Sequence, residues 1–104
     1  MPYSPPVPAR PEVVCICGSM RFRAEMRAAI SGLTMAGAIV LAPTELDSAP
    51  SEEEKAVLDA LHLRRIDLAD RVVVVAPDGY IGESTRREIA YARRHGKPVD
   101  AIDR

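Results

Sequence analysis

The hydrophobic pattern along this chain alternates between short apolar runs and stretches of helical period. "EVVCIC" (12–17) is an almost unbroken apolar run, as expected of a buried strand, and Gly18-Ser19 stops it. From about residue 21, Phe22, Met26, Ala29, Ile30 and Leu33 recur at helical spacing, so a helix follows directly. Gly37 ends that helix, and "AIVLA" (38–42) forms a second strand that Pro43 closes. "PTELDSAPSEEE" (43–54) is a loop that finishes as a helix start. Ser51 with Glu54 three residues on makes a capping box, and the acidic run suits the positive end of a helix dipole. The second helix is expected to reach about Ala69. "RVVVVA" (71–76) is an uninterrupted β-branched run, the signature of a central strand covered on both faces. "PDGYIGEST" (77–85) leads into a third helix ended by Gly96, and Pro98 opens a last strand, "PVDAI".

The order βαβαβαβ implies a parallel sheet with right-handed crossovers. In such sheets ligands sit beyond the carboxyl ends of the strands, where strand order reverses. That rule places "GSMRFR" (18–23) and "PDGYIGEST", the loops after the first and third strands, side by side. Four strands are few for a doubly wound sheet, which leaves room for pairing with a second subunit. Residues 1–11 hold five of the nine prolines and read as an extended arm, with a single domain over 12–104.

A chain of 104 residues fits one small core and no second one. A formal net charge of −1 argues against a nucleic-acid-coating protein, which would carry a basic excess. No apolar run is long enough to span a membrane, and the N-terminus lacks the apolar core of a secretory signal. Cys15 and Cys17 lie two apart on one strand face, at a spacing that disfavours a mutual disulfide. A reduced, cytoplasmic protein is therefore expected. Metal binding would need more ligands than this pair offers, so the cysteines read as buried packing and no metal is expected.

Both loops end at a helix N-terminus, where backbone N–H groups and the dipole favour an anion. Gly18 allows close backbone approach, Ser19 offers a hydroxyl, and Arg21 or Arg23 offers charge-assisted bonds. Gly79, Gly82, Ser84 and Thr85 offer the same from the other side. Glycine and serine are also what tight βα turns use, and neither loop matches a P-loop or the GxGxxG fingerprint. Glu88 has two readings. With Thr85 as N-cap, "TRRE" is a capping box and Glu88 satisfies a backbone donor. Otherwise it is a carboxylate at the mouth of an anion site, able to attack an electrophilic sugar carbon.

"VVCICGSMRFR", "IDLADRVVVVAPDGYIGES" and "REIAYARRHGKPV" resemble the nucleoside 2-deoxyribosyltransferase superfamily, most closely the 2′-deoxynucleoside 5′-phosphate N-hydrolase branch. The resemblance runs from about residue 12 to the end. It implies a small flavodoxin/Rossmann-like α/β three-layer sandwich with a four- to five-stranded parallel sheet, acting as a homodimer on a nucleotide, without a cofactor. By position, Glu88 falls on the family's nucleophilic glutamate. Gly18, Ser19, Met20 and Arg21 fall on its 5′-phosphate turn, and Gly82 and Ser84 in the segment that completes phosphate binding. Tyr80 is placed to stack on a base. Two positions depart from the family: Cys15 stands where a tyrosine orients the nucleophile, and His62 stands where an aspartate lies near the base.

His62 shares a helical face with Leu58 and Ile66, so it is either a core-facing histidine or an acid that protonates the departing base. Asp67, Asp70 and Glu83 are possible substitutes, Asp70 being the more structural. The function expected is hydrolysis of the N-glycosidic bond of a nucleoside 5′-monophosphate. The alternatives are a deoxyribosyl transferase and a nucleotide-binding module without turnover.

Overall fold

The structure, a computed structural model, describes residues 10–102. Most of the proline-rich arm therefore lies outside the described residues. Four strands form one all-parallel sheet: β1 (Val13–Gly18), β2 (Ile39–Leu41), β3 (Arg71–Val75) and β4 (Val99–Ile102). Three helices connect them: α1 (Arg23–Met35), α2 (Glu52–Leu68) and α3 (Glu83–Arg94). The expected α/β class and element order are both present.

The strand order is β2-β1-β3-β4. The chain steps outward from β1 to β2, then returns past β1 to β3, so the direction reverses between β1 and β3. Val14 pairs with Val40 on one side and with Arg71 on the other, and Gly18 pairs with Val75 at the carboxyl end. Each strand of this central pair is apolar on both faces because helices cover both. Val14 and Ile16 turn to one face with Val73, Val75 and Met26, against Ala29, Ile30 and Leu33 of α1. Cys15 and Cys17 turn to the other with Val72, Val74, Ile66 and Ala92, on the side of α2 and α3. The result is three layers. Burying a side chain of valine size stabilises the fold by about 1.5–3 kcal/mol, and the fully buried residues concentrate in these two strands.

Local signals fix the ends. Ser51 accepts from the Glu54 amide at 3.1 Å while the Ser51 amide donates to the Glu54 carboxylate at 2.9 Å, so α2 opens with the expected capping box. Beyond α3, Gly96 takes a left-handed φ of 71°, which a side chain would resist. Asp70 joins the starts of the central strands: its carboxylate accepts from the Val13 amide at 2.8 Å and from Arg10 at 2.6 Å. It is structural, as expected.

One boundary differs from the expectation. Gly82, not Thr85, is the N-cap of α3, and the Arg86 amide donates to the Gly82 carbonyl at 3.0 Å. Thr85 is already the third helical residue and is buried. The "TRRE" capping box does not form, and Glu88 lies in the second turn rather than the first. Among the described residues no helix is long and apolar enough to cross a membrane.

Candidate active site

The loops after β1 and β3 open onto one cleft of about 580 Å³ at the point where strand order reverses. Gly18, Ser19 and Met20 form one wall, and Gly82, Glu83, Ser84 and Thr85 form another. The loop before α2 and the inner face of α2 complete it, bringing in Thr44, Lys55, Asp59, His62 and Arg65. Glu88 lines the cleft from α3.

Sequence reasoning thus brought Gly18, Ser19, Met20, Gly82, Ser84, His62 and Glu88 to one place. Arg21 and Tyr80 are not on the wall. The Arg21 guanidinium lies 4.3 Å from the centroid of the Tyr80 ring, and Phe22 meets the same ring edge-on at 5.6 Å. This stack joins the two loops to each other. Asp67 also lies elsewhere, accepting from the Tyr91 hydroxyl at 2.6 Å. Glu83 is at the cleft rim, 3.3 Å from Arg87.

Several cleft residues carried little signal in the sequence. Lys55 donates to Asp59 at 2.8 Å and to Ser84 at 3.3 Å, so it ties α2 to the start of α3. Arg65 donates to Thr44 at 3.0 Å. Only the path of the 43–51 loop brings Thr44 to α2, and no spacing rule encodes that path. Lys55, as one of two lysines, was the sole compositional hint.

Gly18 has a packing reason to be glycine. A Cβ there would sit 3.0 Å from the Val75 carbonyl oxygen and 3.3 Å from the Met26 sulfur. The turn after β1 closes against β3, and a side chain would push the two strand ends apart.

Beneath the cleft is a buried polar cluster. His62 Nε2 lies 3.6 Å from the Cys15 sulfur and 3.4 Å from the Cys17 sulfur. Its Nδ1 lies 3.3 Å from an Arg65 nitrogen. A guanidinium only donates, so Nδ1 accepts and Nε2 carries the proton toward the sulfurs. His62 is thus core-facing with both ring nitrogens committed.

The electrostatics follow from these contacts. A hydrogen bond with Cys17 draws the Cys15 thiol down to about 6 against the effect of burial, and His62 adds to the pull. The same bond, with burial and the Glu88 charge, pushes Cys17 far above the ordinary thiol range. Burial opposes a charged His62, but hydrogen bonding and charge from Cys15, with Glu88 behind, outweigh it and raise its pKa. Burial raises the Glu88 pKa, while the His62 charge and a Cys17 hydrogen bond act to lower it. The Glu88 charge thus acts on Cys17, two positions beyond the Cys15 that was read against a tyrosine.

Compared with models of known protein families and with curated proteins, the chain matches none.

Proposed function

We propose that the protein hydrolyses the N-glycosidic bond of a nucleoside 5′-monophosphate, with Glu88 as the nucleophile. The observation that carries this reading is the position of Glu88: free of any capping duty, half-buried in the second turn of α3, on the wall of a cleft of about 580 Å³. The same cleft has the Ser19 turn on one side and the N-terminus of α3 on the other, with Arg23 and Lys55 as cations.

The 5′-phosphate binds where Ser19, the first α3 amides, Arg23 and Lys55 surround the cleft. That remote binding orients C1′ against Glu88, so binding energy gained at the phosphate acts on the reacting bond. The Glu88 carboxylate attacks C1′ through an oxocarbenium-like transition state and forms a glycosyl ester. The base departs with the electron pair of the C1′–N bond and takes a proton from solvent at the open mouth of the cleft. Water then attacks C1′, loses its proton to solvent, and releases the sugar phosphate and Glu88.

In this scheme His62 is a positioning residue. Both of its nitrogens are engaged within the protein, which fixes the ring between the two cysteines and Arg65 on the floor of the cleft. The proposal includes a homodimer, because α2 leaves Val57, Leu61 and Leu68 exposed on its outer side. Base release from a panel of ribo- and deoxyribonucleoside 5′-monophosphates, followed by chromatography, tests the reading and names the substrate. Tight nucleotide binding with no base release would instead identify a binding module, a reading favoured by the replacement of the family's tyrosine and aspartate.

A further inference from the structure

The strand that carries Cys15 and Cys17 offers two sulfurs on one face, which is too few to hold a metal. The third donor comes from α2. The two sulfurs and a His62 ring nitrogen all lie within 4.8 Å of one another, and all three residues are buried. In a tetrahedral zinc site, bonds of about 2.3 Å to sulfur and about 2.0–2.1 Å to nitrogen set a sulfur–nitrogen edge of about 3.6 Å. The observed edges are 3.6 and 3.4 Å.

We propose that Cys15, Cys17 and His62 bind one divalent cation of the zinc type beneath the cleft, with the fourth position open toward the cleft. The site is reached from the cleft, because His62 and Glu88 line it while the cysteines lie behind. Charge favours a cation there. Two thiolates neutralise a divalent ion, so the filled core buries no net charge, and Arg65 offsets Glu88. Two thiolates with one imidazole suit zinc better than magnesium or calcium, which take oxygen ligands. On binding, each thiol that ligates releases its proton to solvent.

Arg65 opposes this binding, and that makes the proposal specific. Ligating histidines usually donate their other N–H to an acceptor. Here Arg65 donates to Nδ1 at 3.3 Å and so keeps the proton on Nε2, the nitrogen the metal needs. Metal binding requires that proton to move to Nδ1 and Arg65 to turn toward Thr44, which it already contacts at 3.0 Å. Arg65 is then a lock on the site.

The test uses the full chain, reduced and freed of metal, titrated with Co²⁺ without oxygen. The expected result is thiolate-to-cobalt charge-transfer absorption with intense tetrahedral d–d bands, saturating at one equivalent and bleached by Zn²⁺. Cys17→Ser should weaken Co²⁺ binding by about a hundredfold and cut the charge-transfer intensity. Arg65→Leu, on a half-buried side chain outside the ligand set, should tighten it by about tenfold with the same spectrum. Absence of charge-transfer bands in the wild type and in Arg65→Leu would overturn the proposal and leave the cluster as a hydrogen-bonded thiol–imidazole group. Binding of equal strength in wild type and a folded Cys17→Ser would overturn it too. None of these readouts depends on base release, so the metal site and the hydrolase reading stand or fall separately.

Discussion

The Nε2 of His62 lies 3.4 Å from the sulfur of Cys17, joining the middle of α2 to the end of β1 across 45 positions of sequence. The charge of Glu88 on α3 acts in turn on the Cys17 thiol. Three elements that the chain lays down far apart thus meet behind one carboxylate.

Replacing that carboxylate separates chemistry from folding. Glu88→Gln keeps the shape of the side chain and removes the charge that burial opposes, so its thermal midpoint should equal or exceed that of the wild type. Base release should fall by about a thousandfold or more, while binding of a nucleoside 5′-monophosphate survives. Parallel turnover and calorimetric titrations check this. A variant that releases base at the wild-type rate removes Glu88 from the mechanism.

Much of this fold was legible because the signals are local. Apolar runs marked β1 and β3, Ser51 with Glu54 marked the start of α2, and Gly37 and Gly96 marked helix ends with φ values of 99° and 71°. Of the two readings at the start of α3 the capping box fails: "TRRE" satisfies its spacing, yet Gly82 accepts the first helical bond one turn earlier. The candidate site was half legible. The βα loops announce themselves by composition and position, so Gly18, Ser19, Gly82 and Ser84 were found. The link from His62 to the two cysteines depends on how α2 packs over the sheet, and no sequence period carries that information.

Gly18 supplies a test of packing at the mouth of the site. In Gly18→Ala the new methyl meets the Val75 carbonyl oxygen at 3.0 Å, and that oxygen belongs to backbone that cannot swing aside. The substitution should destabilise the protein by about 1–3 kcal/mol, read as a lower urea midpoint with an unchanged slope. Met26→Ala on the same background would relieve only the contact at 3.3 Å, so it should not restore the midpoint.

Acid should attack the fold through carboxylates that the native state holds ionised. The Val13 amide, with Arg10 beside it, keeps Asp70 below its ordinary pKa, and the Tyr91 hydroxyl does the same for Asp67. For a depressed native pKa the unfolded chain takes up the proton first. Stability is then fully present above the ordinary aspartate value of about 3.9 and is lost as pH falls through the native values. Urea midpoints between about pH 7 and 5 should therefore be flat with respect to these two groups. Below about pH 4 they should fall. Asp70→Asn should start lower and show a shallower acid limb; an acid limb as steep as that of the wild type would exclude Asp70 as a source.

The outer side of α2 makes the last prediction, about assembly. Val57, Leu61 and Leu68 are 66%, 46% and 70% exposed, at spacings of four and seven that align them along one stripe of the helix. On the same helix His62 and Ile66 are buried, so α2 carries apolar residues on two sides where a surface helix needs only one. A stripe of this kind is covered when two copies pack α2 against α2. Equilibrium sedimentation of the full chain should give a dimer, and Leu61→Glu should give a monomer that remains folded, because Leu61 lies outside the core. A wild type that sediments as a monomer at micromolar concentration would falsify the dimer and leave the stripe as exposed surface.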